Sequence, residues 1–375
     1  LYRCPQGRGS QHPACHQHRH RSQAGWRWPD WCRDHHSPAR LLCQRSLGHR
    51  RQSGGISMQK KKLAVVAVGG NALIRSSDEV SLDQQYDAVV ETARHVADLI
   101  AAGWQVVLTH GNGPQVGFIL RRSELASAQV PTVPLEYAVG DTQGAIGFMF
   151  QNALGNELRR RGLADTKVIT LVTQTLIDRC DPAFTHPDKP IGAHMSQPIA
   201  EQLAAEQGWQ IAEDAGRGWR RVVASPAPLG IVETPTIRVL LEQDALVIAC
   251  GGGGIPVVRE KDGSLQAAQA VIDKDRASAL LAIELQADML LIPTGVEQVA
   301  IHFETPEQRW LETLNLAEAT QLLADGHFGA GSMGPKVEAM LRYLKGCPDG
   351  VGLITNPPSM GKAVLGLAGT RFLGH

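Results

Sequence analysis

Leu63-Ala64-Val65-Val66-Ala67-Val68-Gly69-Gly70-Asn71-Ala72 is a short apolar run that stops on a pair of glycines. The same grammar recurs twice. Residues 105–109 run into His110-Gly111-Asn112-Gly113-Pro114, and 246–250 run into Gly251-Gly252-Gly253-Gly254-Ile255-Pro256. Apolar runs of this length read as buried strands. A glycine placed after a strand lets backbone N–H groups turn toward an anion with no Cβ in the way. Three such turns predict a site built for several phosphates.

Outward from these turns the chain alternates strand and helix. Apolar residues recur at helical spacing over 82–102 (Val89, Ala93, Val96, Ile100), and Gly103 stops them. A strand is expected at 104–109, a helix at 144–161 closed by Gly162, and a strand at 167–173. A helix at 275–285, a strand at 289–293 and a helix at 337–344 behind Pro335 complete the series. Alternating β and α with apolar strands predicts an α/β protein, with a largely parallel sheet and helices on both faces. Ligands in such sheets sit beyond the carboxyl ends of the strands, where all three glycine turns fall. Residues 174–221 break the rhythm. They are polar and turn-rich, too long for an ordinary connection, and read as a small projecting lid subdomain.

The 375 residues carry equal numbers of acids and bases, but unevenly placed. Residues 1–57 hold ten arginines, no lysine and two acids (Asp30, Asp34), a surplus of eight positive charges that the remainder offsets. A negatively charged body argues against a nucleic-acid partner. The longest apolar stretches are strand-length, so no membrane helix is expected. The first 57 residues also hold four of the seven cysteines, seven of the fourteen histidines and three tryptophans without periodicity. Their Cys and His spacing fits no zinc template. The segment reads as an upstream extension, disordered and non-native, with Met58 as the natural start of a domain over 58–375. Cys180, Cys250 and Cys347 are dispersed, as in a reduced cytoplasmic protein.

The two common nucleotide signatures are absent. No Gly-x-x-x-x-Gly-Lys-Ser/Thr occurs, and neither the Gly111 nor the Gly251 turn completes Gly-x-Gly-x-x-Gly. His110 and Ser332 are expected in loops, with nothing to join them into a nucleophilic triad, and no metal-ligand spacing is present. What remains is lysines. Lys274 in Asp273-Lys274-Asp275 and Lys336 in Gly334-Pro335-Lys336 fall at helix starts, where the dipole already favours anions. Lys189 falls in the projecting stretch. Asp273 and Asp275 read as helix caps or, equally, Asp275 as the group holding the lysines and a metal-bound phosphate in register.

With these residues in place, the chain from 63 to 371 resembles carbamate kinase, of the amino-acid-kinase superfamily. The matching segments are Gly69-Gly70-Asn71-Ala72, the run from Thr109 through Gly117, Thr142-Gln143-Gly144 and Lys189-Pro190-Ile191-Gly192. Residues 213–221, Ser225-Pro226, 250–257, 270–275 and 326–336 continue the match. The resemblance implies a three-layer α/β/α sandwich, a cytoplasmic homodimer, and reversible phosphoryl transfer between carbamoyl phosphate and ADP with Mg²⁺, with no metal held by protein side chains. It implies a carbamate and phosphoryl half over 58–222 and a nucleotide half over 223–375. Lys189, Lys274, Lys336 and Asp275 would be catalytic. Gly69, Gly70, Asn71, His110, Gly111, Asn112, Gly113 and Gln143 would hold substrate and phosphate. Gly251, Gly252, Gly253, Asp273, Thr294, Met333 and Lys336 would hold the nucleotide.

Other kinases of the superfamily carry a lysine two residues before the first glycine pair, where this chain has Ala67, so the phosphoryl clamp must come from Lys189 or Lys274. Ala193-His194-Met195, Gly334 and Pro293 depart from the family pattern and bear on substrate preference. A related small-acid kinase, or a weak nucleotide-binding paralogue acting through a partner, is the alternative. Because nothing in residues 1–57 has the pattern of a core, their deletion is expected to leave melting temperature and activity unchanged. A drop of several degrees in a thermal scan would overturn that reading.

Overall fold

The computed structural model describes residues 61–70, 73–74, 81–214, 216, 218–329 and 332–375. The expectations for residues 1–57, for Met58 and for Asn71 lie outside the described residues.

The first strand, Leu63–Val68, is buried along its whole length because both of its faces are covered. Val65 and Ala67 look into one apolar cluster, and Ala64, Val66 and Val68 into another. A strand buried on two sides reads as continuous apolar sequence, which is why its glycines mark its end so clearly. It lies inside an eight-stranded sheet in the order Thr313–Asn315, Thr370–Leu373, Val351–Thr355, Met289–Pro293, Leu63–Val68, Gln105–His110, Leu246–Ile248, Val168–Thr170. Six of these run parallel. Thr370–Leu373 runs antiparallel to Val351–Thr355 and parallel to Thr313–Asn315, so it is threaded between strands made earlier in the chain.

Helices cover both faces and complete a three-layer α/β/α sandwich. Helix Leu82–Ala101 starts on a capping box between Ser81 and Gln84, and packs Val89, Ala93 and Val96 against the sheet beside helix Leu135–Arg160. Helices Thr234–Glu242, Lys274–Leu285 and Gly334–Gly346 cover the opposite face. Pro293 closes its strand, and the ladder resumes at Thr294, whose N–H donates to the Thr355 carbonyl at 2.7 Å.

Two expectations need correcting. The helix expected at 144–161 begins at Leu135, because Gly140 and Gly144 are not breakers in it. A Cβ at Gly140 would lie 3.3 Å from Ile255 Cδ1, and one at Gly147 only 2.2 Å from Thr170 Cγ2. These glycines permit close approach of neighbouring elements. His110, expected in a loop, is the last residue of strand Gln105–His110 and is buried.

Between residues 174 and 223 the chain serves two structures. Gln174–Leu176 joins a four-stranded sheet with Gly230–Ile231, Ile255–Arg259 and Leu265–Ala267. Lys189–Met195, Trp219–Val223 and Gln210–Glu213 form a separate three-stranded sheet, which carries helix Gln197–Gln207. Among the described residues, no helix is long and apolar enough to cross a membrane. Cys180, Cys250 and Cys347 are free thiols.

The tight seam at Gly147 yields a prediction. Gly147→Ala gains roughly 1 kcal/mol of helix propensity but meets the Thr170 methyl, an overpacking cost of about 1–3 kcal/mol. A net loss is expected in urea unfolding. Thr170→Ser, which removes the methyl and keeps the hydroxyl that donates to Gly147 O, should recover stability when combined with Gly147→Ala. Additivity of the two changes would show that the clash is not the cause.

Candidate functional site

The carboxyl ends of Leu63–Val68 and Gln105–His110 bring two glycine turns side by side. Gly111 N–H donates to Val68 O at 3.0 Å, and a Cβ on Gly111 would sit 3.6 Å from Gly70 N and 3.8 Å from Lys274 Cδ. The stem of Lys274 therefore runs under both turns. Its ammonium donates to the carbonyl of Ala67 at 3.0 Å and to Asp275 Oδ1 at 2.5 Å. The carbonyl at Ala67 thus anchors a lysine that arrives from another strand's connection.

Asp275 holds a second lysine with its other oxygen: Lys336 Nζ lies 3.1 Å from Oδ2. The carboxylate is 6% exposed, against 13% for Lys274 and 18% for Lys336. A buried carboxylate shared by two ammonium groups leaves the cluster with a net positive charge. Asp275 sits in the first turn of helix Lys274–Leu285, where the helix dipole adds to that positive field. Lys274 O accepts from Ser278 Oγ at 2.7 Å, and Thr109 Oγ1 donates to Ser278 Oγ at 2.6 Å, so the helix start is tied to the strand it faces.

Asp273 caps the helix, as its sequence position allowed, and also holds a lysine. Its Oδ1 caps the helix by accepting from the N–H groups of Asp275 and Arg276, and its Oδ2 accepts from Lys189 Nζ at 2.8 Å. Burial alone would raise its pKa, but the Lys189 charge and these hydrogen bonds outweigh burial and hold it at about 2. Lys189 thus reaches the body from the small sheet through Asp273.

A cavity of about 740 Å³ opens next to this cluster. Its walls include Thr294, Gln298, His302, Phe303, His327 and Met333, and Lys336 lines it while also contacting Asp275. The His302 and His327 rings meet edge to face with centroids 4.8 Å apart. Residues of the threaded strand brace the wall: Thr370 Oγ1 accepts from Val299 N at 2.8 Å and donates to Leu311 O, and Gln298 donates to Gly369 O. The volume lies within the range of small-molecule sites.

Thr294, Met333 and Lys336 fall in this cavity; Gly251, Gly252, Gly253 and Asp273 do not line it. The Gly251 turn is buried against the Gly111 turn instead. A Cβ on Gly251 would lie 2.5 Å from His110 Nε2, and Gly252, at φ +65°, faces the Asn112 amide, which a Cβ would meet at 2.0 Å. These glycines allow backbone to touch side chains, so their role is to support the neighbouring turn. Gln143 belongs to the same support. It donates to Thr173 O and Gly251 O and accepts from Thr173 N, which uses its amide fully. Asn112 donates to Thr142 Oγ1 at 2.8 Å and is buried.

His110 is buried, stacks on Phe150, and pairs its Nδ1 with Gly111 O. Burial, reinforced by the Lys274 charge and only partly opposed by the Gly111 bond, lowers its pKa to about 4. It is neutral at ordinary pH and holds the turn in place. Gln298, His302 and Phe303 were not singled out from sequence, since they share no motif, and His327 entered only as part of the matching run 326–336. Among the described residues, no cluster of three or more His, Cys, Asp or Glu could hold a metal ion.

Residues 62–350 match the family model described as "Amino acid kinase family". The chain is 48% identical over 316 residues to the carbamate kinase-like protein YahI of Escherichia coli, covering 84% of this chain and 99% of that protein. It is 47% identical to carbamate kinase of Pyrococcus furiosus, covering 76% of this chain and 90% of the relative. The structure of carbamate kinase from Giardia lamblia bound to AMP-PNP superposes with a TM-score of 0.78 at 40% identity, covering 84% of this chain and 99% of that one.

The burial of His110 sets a pH dependence. The unfolded chain binds a proton below about 6.5, whereas the folded chain refuses it until about 4, so stability falls as pH drops through that window. The span corresponds to roughly 3 kcal/mol. Relative to wild type, His110→Gln should therefore gain stability between pH 6.5 and 4 in urea titrations. A constant difference across that range would show that His110 is not held neutral.

Proposed function

This chain belongs to the amino acid kinase family, among its carbamate kinases, and from that premise we propose that it transfers a phosphoryl group between carbamoyl phosphate and ADP, yielding ATP and carbamate. The observation that carries the reading is the pair of lysines on one buried carboxylate, set under the two adjacent glycine turns.

Phosphoryl transfer asks a protein for position and charge more than for covalent help. An oxygen of the terminal ADP phosphate, already ionised, attacks phosphorus. The bond between that phosphorus and the carbamate oxygen breaks, and carbamate leaves with the electron pair. No proton moves, so no general base is required. The neutral, buried His110 is consistent with that chemistry. Carbamate's carboxylate would be met by N–H groups of the Gly69–Gly70 and Gly111–Gly113 turns. Lys274 and Lys336 would offset the charge that spreads over the transferring group, and Lys189 would join them from the small sheet on leaving Asp273. Lys336, shared between cluster and cavity, supports placing the nucleotide base and ribose in the 740 Å³ cavity. Mg²⁺ would enter on the nucleotide phosphates, because Asp273 and Asp275 are already committed to lysines. A homodimer in the cytoplasm completes the reading.

A coupled assay tests it. ATP should form from ADP and carbamoyl phosphate, and much more slowly from acetyl phosphate; no ATP from carbamoyl phosphate would sink the proposal. Lys274→Ala should lower kcat by at least about 10²-fold, as for loss of a preorganised charge stabiliser. Turnover like that of the wild type in this variant would remove the lysine clamp from the mechanism.

A further inference from the structure

A second cavity, of about 280 Å³, lies where the small sheet rests on helix Gly113–Leu125. The two bodies meet there backbone to backbone: a Cβ on Gly117 would sit 3.1 Å from Gly192 Cα, and Gly192 adopts φ +73° at an irregularity in the strand pairing. Ile191, Met195, Ile199 and Leu203 supply apolar wall, and Trp209 and Arg221 close one side.

Arg221 is the unusual group. Its neighbour Arg220 is engaged, donating to Gly192 O and to Asp214. Successive residues of a strand face opposite ways, and Arg221 turns into the cavity. Its guanidinium lies over the Trp209 ring at 5.1 Å and has no hydrogen bond or ion pair among the described residues. Glu124, the nearby acid, is 3.6 Å from Arg121. Burial depresses the Arg221 pKa, with Glu124 only partly opposing it. A guanidinium stacked on an indole keeps its donor edge free, and that edge matches a carboxylate with two parallel hydrogen bonds.

We infer that this cavity is a binding site for a small monocarboxylic acid with an apolar tail, its carboxylate on Arg221 and its tail against Ile199 and Leu203. The site is coupled to the reaction through the strand that forms it. Ile191 pairs with Arg221 and Lys189 with Val223, so Lys189 is two residues along the same strand face from the occupied position. An occupant that shifts Lys189–Met195 over the Gly117–Gly192 contact shifts Lys189 relative to Asp273. This coupling rests on the kinase reading above; the binding itself does not.

The test uses 3-phenylpropanoate and its neutral analogue 3-phenylpropan-1-ol, titrated calorimetrically into the full chain. The acid is expected to bind one to one with a Kd of roughly 0.1–1 mM. The alcohol should bind at least about tenfold more weakly, as should the acid to Arg221→Met and to the cavity-filling variant Leu203→Trp. Lys274→Ala should bind the acid as wild type does. Equal binding of acid and alcohol, binding unchanged in Arg221→Met, or binding lost in Lys274→Ala would overturn the site, the last by placing the acid among the catalytic lysines. In initial-rate assays the acid should change KM for carbamoyl phosphate by about twofold or more in wild type and leave Arg221→Met unaffected. An unchanged KM with normal binding would overturn the coupling. A chain that turns over no carbamoyl phosphate would fail the kinase reading while the isotherms still decide the site.

Discussion

The site hangs on one carboxylate. Asp275 is buried, and each of its oxygens holds an ammonium from the start of a different helix. Two lysines so close would repel one another and would each carry a heavy desolvation cost without it; removing one partner from such a buried cluster costs about 3–5 kcal/mol. The carboxylate therefore fixes the distance between Lys274 and Lys336, and through them the distance between the glycine turns and the cavity. The cluster remains positive by one charge. That surplus is built into the fold, and on the reading proposed above it would complement a phosphoryl group in transit.

Around this cluster the protein keeps hard polar groups busy. His110 is held neutral, Gln143 spends its amide on Thr173 and Gly251, and Asp273 divides its oxygens between a helix cap and Lys189. Nothing here is arranged to move protons. The arrangement is a rigid floor beneath two turns, with one tether to the small sheet.

How much of this could be read from sequence varied with the physics behind each signal. The buried strands were plain because both faces are apolar, and Lys274 and Lys336 were plain because each stands at a helix start. The Gly251 turn was legible as a turn but not in its packing, because glycine serves two purposes that look alike in a sequence: exposing N–H groups to an anion, and letting a backbone press against His110 and Asn112. The same ambiguity hid the first turns of helix Leu135–Arg160, whose glycines make room for Ile255 and Thr170. Beyond Thr294, Met333 and Lys336, the cavity walls were not singled out. Gln298, His302 and His327 are ordinary turn residues until the sheet order brings them together.

That sheet order has a consequence for how the molecule is made. Strand Thr370–Leu373 is inserted between two strands synthesised before it, and Thr370 and Gly369 brace Val299, Leu311 and Gln298 around the cavity. During folding, the glycine turns and the Asp275 cluster can assemble while this slot is still vacant. Two strands, Val351–Thr355 and Thr313–Asn315, must then wait with unpaired edges, the arrangement most prone to pairing with a neighbouring chain. The Asp275 cluster can thus form before the cavity walls close, and the most vulnerable interval in folding falls between the two.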